Sequence, residues 1–197
     1  SSILKMDDTL NELKPFFEST HVKKVGHNLK FDMNVLFKYN ITVEQPLFDT
    51  MVAHYLINPD MRHNLNSLSE SYLNYSPISI ESLVGKKGKN QLSMKDISVE
   101  EITNYACEDA DLSLRLKNIF DKELESNQVQ KIFKEIEIPM ISVLNEMETQ
   151  GVKIDTEYLN KLEKEFETEL SILKERIFEK CEEEFNLNSP KQLGDIL

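Results

Sequence analysis

Two short segments far apart in the chain, Gly26-His27-Asn28-Leu29-Lys30-Phe31-Asp32 and Tyr105-Ala106-Cys107-Glu108-Asp109, each set one aspartate on the apolar side of an expected helix. An ionised carboxylate on a core-facing stripe is costly unless it is hydrogen-bonded, paired or bound to a metal. At 3.6 residues per turn, Ile102, Tyr105, Leu112 and Leu116 fall within about 60° of Asp109. Glu108 lies about 100° round and Asp111 about 160° round, so both are expected in water. Asn28, Leu29, Val35 and Leu36 share a face with Asp32 in the same way. Two acids aimed inward from two helices have the chemistry of half a metal site.

The length of 197 residues allows one large domain or a domain with an appendage, and 40% hydrophobic residues suffice for a packed core. No apolar run reaches the length of a membrane span, so no membrane partner is expected. The first residues, Ser-Ser-Ile-Leu-Lys, have neither a basic segment nor a long apolar one, which argues against secretion and for a cytoplasmic setting. The chain lacks an initiator methionine and ends inside a helix opened by Ser189-Pro190, and it reads as an internal portion of a longer protein. Cys107 and Cys181 are too few for a disulfide framework or a zinc site and read as reduced thiols. His21, His54 and His63 show no metal-ligand spacing and read as surface or capping residues. The net charge of −12 divides into −3 over residues 1–120 and −9 over residues 121–197. The acidity therefore belongs to the last helices, while Lys86, Lys87 and Lys89 form a basic cluster; charge neither supports nor excludes nucleic-acid binding.

Periodicity predicts helices over residues 7–19, from Gly26 to Asn40, and over 50–57, with Asp49 as N-cap of the third. Short strands are expected over 22–25 and within 41–48. A helix over 65–73 precedes a loop from Ser76 to Lys95. Ser98-Val99-Glu100-Glu101 has capping-box spacing and starts a helix running to about Leu124. Val129, Ile132, Phe133 and Ile136 form the apolar face of a following helix, with Pro139 placed to kink it and Gly151 placed as its C′ residue. Asp155 opens a last long helix striped by Leu159, Leu162, Phe166, Leu170, Leu173, Ile177 and Cys181, expected to pack as an antiparallel helical hairpin with the helix before it. Two strands make a poor sheet alone, so further strands are expected upstream.

Gly-His-Asn-Leu-Lys-Phe-Asp resembles the second exonuclease motif of the bacterial family A DNA polymerases, and Tyr105-x-x-x-Asp109 resembles the third. Phe48-Asp49-Thr50-Met51, Gly88-Lys89-Asn90-Gln91-Leu92, Gly151-Val152-Lys153-Ile154-Asp155 and Phe185-Asn186-Leu187-Asn188-Ser189-Pro190-Lys191-Gln192-Leu193 continue the likeness in the same order. The resemblance implies an α/β chain: a partial RNase H-like (DnaQ-like) exonuclease fold lacking its first strands, followed by an all-α helical hairpin. It implies a 3′-5′ exonuclease domain over residues 1–124 and the start of a polymerase domain, its thumb helices, over 125–197.

The same resemblance assigns the chemistry. Phosphodiester hydrolysis can use two divalent ions about 3.5–4 Å apart to activate water and neutralise the leaving oxygen. The family holds Mg²⁺ or Mn²⁺ with an Asp-x-Glu on its first strand and with the aspartates matching Asp32 and Asp109, while the tyrosine matching Tyr105 orients the attacking water. Asn28 would contact the terminal nucleotide, with His27 beside it where the family commonly has glutamine. Ile80 aligns where the family often has an aromatic wedge. Asp121-Lys122-Glu123 and Asp155-Thr156-Glu157 are the Asp-x-Glu strings present, and neither follows a strand. The implied partners are DNA, as a single-stranded 3′ end or primer-template, and dNTPs in the complete polymerase of the bacterial nucleoid; the isolated chain is expected to be inactive. The alternatives are a degenerate exonuclease fold kept as a scaffold, and a free-standing exonuclease, against which the segment from Gly151 to Leu193 argues.

Overall fold

In the computed structural model, which describes residues 4–196, two three-residue strands run parallel. Strand β1 (Lys24–Gly26) pairs with β2 (Leu47–Asp49) in the register Lys24 to Leu47, Val25 to Phe48 and Gly26 to Asp49. A parallel pair ends on one side, so the helices that follow the two strands start next to each other. These are α2 (Leu29–Phe37) and α3 (Thr50–Ile57). The Asp49 side chain, almost wholly buried, accepts from Met51 N at 2.9 Å and Val52 N at 3.2 Å, as expected of an N-cap. It also accepts from Leu29 N at 2.7 Å and Asn28 N at 3.2 Å across the strand pair. One carboxylate thus caps two helices. Gly26 faces this junction: a Cβ there would stand 2.4 Å from Cδ2 of Leu29, itself buried.

The chain begins with α1 (Met6–Phe17), whose expected apolar side leaves no residue buried. The expected helix over 65–73 is α4 (Leu65–Leu73), capped by Asn64. Residues 76–95, read as loop, contain α5 (Ile80–Val84), capped by Ser79, and a 3-10 turn Met94–Asp96 closed by Ser93 and Asp96. A Ser at each N-cap supplies enough local bonding to hold one turn of helix, too short for periodicity to register. The long helix α6 (Val99–Ser126) starts at Ser98, whose hydroxyl accepts from Glu101 N. It buries Leu112, Leu116, Phe120 and Leu124 against α3 and α4.

Beyond α6 the structure departs from a simple kinked helix. A short helix α7 (Gln130–Ile132) enters a π-helical turn, Phe133–Glu137, and continues as α8 (Ile138–Gln150). The wider turn takes up the strain of Pro139, which has no N–H and clashes with the preceding turn. It also lengthens the spacing of the buried positions, from Phe133 to Ile138, and then Ile141 and Asn145. Ile132 and Ile136, expected on the apolar face, are therefore exposed. Phe133 meets Phe48 of β2 with ring centroids 4.9 Å apart, and α8 packs on α2 and β2.

Compactness divides the chain at Gln150–Gly151, so α7 and α8 pack with the first unit. Gly151 has a φ of +67°, the left-handed conformation expected of a C′ glycine. The second unit contains α9 (Thr156–Cys181), capped by Asp155 on Tyr158 N at 2.9 Å, and α10 (Pro190–Ile196). Its stripe residues Leu159, Phe166, Leu170 and Leu173 are exposed. Among the described residues no helix is long and apolar enough to cross a membrane.

His54, read as a surface or capping residue, is fully buried. Its Nδ1 lies 2.7 Å from Nδ1 of His63, and its ring packs edge-on to Tyr72 and beside Phe120. Burial, with His63 and His27 nearby, pushes its pKa down to about 4. A histidine held neutral stabilises the fold fully above its unfolded value of 6.5 and less as the pH falls. Stability should therefore decline between about pH 6.5 and pH 4 in denaturant titrations, with a shallower slope in His54→Gln. Removal of the double cap in Asp49→Ala should cost about 2–4 kcal/mol of unfolding free energy, since two helix N-termini lose their acceptor at a buried site.

Candidate active site

The first-unit fold brings the two motif segments together. A cleft of about 430 Å³ is lined by Val25 and Gly26 of β1, by His27, by Asp32 of α2, and by Tyr105 and Asp109 of α6. It opens beyond the carboxyl ends of the parallel strands, the usual place for a site in such a sheet. Tyr105 and Asp109 stand one turn apart on the same face of α6, as their spacing predicts. The placement of Asp32 differs from expectation. It is exposed on the rim of the cleft, because α2 turns Leu29 and Met33 inward while Val35 faces outward with it.

Electrostatics set these groups apart from ordinary surface acids. Asp32 is exposed on the rim, yet partial desolvation by its surroundings raises its carboxyl above the usual range; the neighbouring Asp49 adds to this, while a backbone N–H opposes it. Burial also raises Asp109, with Glu108 adding and the Tyr105 hydroxyl opposing. The Tyr105 phenol is itself raised, by burial and then by Asp109. Two carboxyls with raised pKa values sharing one cleft mark it as the candidate site. Both are hard oxygen donors, the type that Mg²⁺ and Mn²⁺ take. Among the described residues no cluster of three or more His, Cys, Asp or Glu side chains stands ready to hold a metal.

His27 enters the cleft wall in a fixed orientation. Its Nδ1 lies 2.9 Å from the Thr50 hydroxyl, and that hydroxyl donates its single proton to Gly26 O at 3.1 Å. The Thr50 hydroxyl thus links His27 Nδ1 to the backbone at Gly26. Burial lowers the His27 pKa, against the opposing pull of Asp49 and the His63 carbonyl, which favours the neutral ring. Asn28 does not line the cleft. It adopts a left-handed φ of 61° that lets its backbone N–H reach Asp49.

Several working residues escaped the sequence reading. Glu108, expected in water, accepts from Tyr75 Oη at 2.5 Å and Ile78 N at 2.7 Å, fastening the 74–79 segment to the helix that carries Asp109. Ser113 donates to Asp109 O at 2.8 Å. Thr50 had no signal beyond its place after an N-cap.

Two helices thus bring a tyrosine and two acids to one cleft beside a parallel strand pair. The model of the 3′-5′ exonuclease family matches residues 2–125, and the chain belongs to that family. Over 188 residues it is 38% identical to DNA polymerase I of Borreliella burgdorferi, covering 95% of this chain and 20% of that protein. DNA polymerase I of Chloroflexus aurantiacus is 36% identical over 193 residues, 96% of this chain and 20% of the relative. DNA polymerase I of Pseudomonas aeruginosa is 35% identical over 198 residues, covering 98% and 22%. The chain thus spans about a fifth of the length of these curated relatives. Among solved structures, the POL domain of Pol1 from M. smegmatis in complex with DNA primer-template and dNTP superposes with a TM-score of 0.73 at 24% identity, over 100% of this chain and 31% of that one. Brucella melitensis NrnC gives a TM-score of 0.59 at 22% identity over 71% of this chain and 64% of its own. At those identities the likeness is one of fold.

A carboxyl raised in the folded state lends stability below its unfolded value of 3.8 and loses it as the pH rises through the folded value, so ionised Asp109 weakens the fold at neutral pH. Asp109→Asn should therefore raise the thermal midpoint at pH 7, by roughly 1–3 °C. Scanning calorimetry of the two proteins checks this.

Proposed function

We propose that this chain is the exonuclease portion and the first polymerase-domain helices of a DNA polymerase I, and that its cleft removes mispaired nucleotides from DNA 3′ ends. The observation that carries the reading is the meeting of Asp32, Tyr105 and Asp109 in one cleft of a chain belonging to the 3′-5′ exonuclease family. The complete polypeptide would then bind primer-template and dNTPs and synthesise DNA in replication and repair. The likeness to DNA polymerase I over nearly the whole chain supports this.

In this reading Asp32 and Asp109 hold divalent metal, Mg²⁺ or Mn²⁺. A metal bound there would supply an activated water and charge neutralisation at the leaving oxygen. Tyr105, one turn from Asp109, orients the water that attacks the terminal phosphodiester. In the family's arrangement His27 and Asn28 contact the last nucleotide; His27 stands in the cleft wall, and Asn28 would reach the nucleotide from just outside the cleft lining. In the complete polypeptide, further strands and carboxylates of the RNase H-like exonuclease fold would complete the site. Residues 1–124 form the exonuclease domain and 125–197 begin the thumb of the polymerase domain. The isolated 197 residues carry two of the family's four carboxylates, too few to place a metal pair, and have no appreciable activity alone.

The test separates the two activities. In the complete polypeptide, Asp109→Ala should lower removal of 3′-terminal nucleotides from a labelled single-stranded oligonucleotide by about a hundredfold or more, since misplacing the reacting groups by about 1 Å already costs that much. Primer extension should stay near its original rate. Equal loss of both activities in a folded variant would count against the assignment.

A further inference from the structure

Helix α2 carries Asp32 yet is lightly held. Of its nine residues only Leu29 and Met33 are buried, while Phe31 is 65% exposed and Phe37 55% exposed. The Asp49 carboxylate fixes its first N–H groups, which leaves the later turns to side-chain contacts. On the face away from Asp32, about 160° round the helix, stand Lys30 and Asn34, one turn apart. Both reach the same residue of α8. Lys30 Nζ donates to Glu148 Oε1, and Asn34 Nδ2 donates to Glu148 Oε2 at 3.0 Å. Asn34 Oδ1 in turn accepts from Asn145 Nδ2 at 2.7 Å, and Asn145 is buried. Hydrogen bonds from Lys30 and then Asn34 hold the Glu148 carboxyl below its ordinary range.

An isolated surface ion pair contributes little. This one is the outer end of a four-residue chain whose inner end is a buried amide, and it ties the two helices through both oxygens of one carboxylate. We infer that Lys30, Asn34, Asn145 and Glu148 form a positioning clamp by which α8 sets the orientation of α2, and hence the place of Asp32 in the cleft it shares with Tyr105 and Asp109. The inference rests on the nuclease reading of that cleft. It gives α8 a duty toward the exonuclease site that the motif strings do not assign. Because the Glu148 side chain is 49% exposed, its removal opens no cavity and spares the core.

Amide hydrogen exchange across α2, measured on the full chain, tests the clamp without reference to activity. Glu148→Ala should speed exchange of residues 34–37 about tenfold through local opening, with the amides of Leu116 and Phe120 unchanged. Unchanged exchange in α2 would overturn the proposal. In the complete polypeptide, Glu148→Ala should lower 3′-end removal about tenfold, less than the loss expected for a full 1 Å displacement. It should also raise the Mg²⁺ concentration giving half-maximal rate, with primer extension unaffected. A loss with no change in Mg²⁺ requirement would overturn it. The charge-swapped pair Lys30→Glu with Glu148→Lys should recover part of the α2 protection and rate relative to either single change, because the ion pair returns while the Asn34 Nδ2 bond to residue 148 does not. A double variant as impaired as the singles would sink the clamp. If Asp109→Ala spares 3′-end removal, the nuclease reading fails instead, and the exchange experiment still decides whether the clamp exists.

Discussion

The carboxylate of Asp49 is the contact on which the first unit turns. A buried acid is costly unless its lone pairs are satisfied, and here four backbone N–H groups from two helix starts satisfy it. The parallel register that sets Gly26 against Asp49 makes this possible, since it places both strand-to-helix turns side by side. The strand-side wall of the cleft is placed from that junction. Asp32 stands in the first turn of α2, His27 leans on Thr50 at the head of α3, and Gly26 leaves room for Leu29.

The same junction raises the energy of the site. Asp49 adds negative potential to Asp32, and burial works against the ionised forms of both Asp32 and Asp109. Neither acid is compensated by a salt bridge among the described residues. Ionising the two acids in the shared cleft therefore costs stability. The surrounding structure compensates: α6 buries Leu112, Leu116, Phe120 and Leu124, and Glu108 fastens the 74–79 segment beside the cleft.

Much of this was legible in the sequence, for local reasons. The caps at Asp49, Ser98 and Asp155, the left-handed Gly151 and the start at Pro190 are set by residues next to one another, and each falls where the residue types place it. Tyr105 and Asp109 share a helix face because the helix period requires it. Errors arose where the answer depended on a distant partner. Glu108 was expected in water but serves Tyr75 and Ile78. His54 was expected at the surface but is enclosed by Tyr72 and Phe120. Ile136 was expected inside, and a π turn before Pro139 rotated it out.

The sequence by itself determined the longer helices, several of their caps, the family and the residue types of the cleft, because periodicity, capping and motif order are properties of neighbouring residues. Only the tertiary structure decided that Asp32 sits on a rim rather than in the core, that Asp49 serves two helices, and that α8 belongs with the first unit and grips α2 through Glu148. Each of those depends on bonds between residues 20 to 118 positions apart. Such pairings are settled by which surfaces the folded chain brings together, and no local rule encodes them.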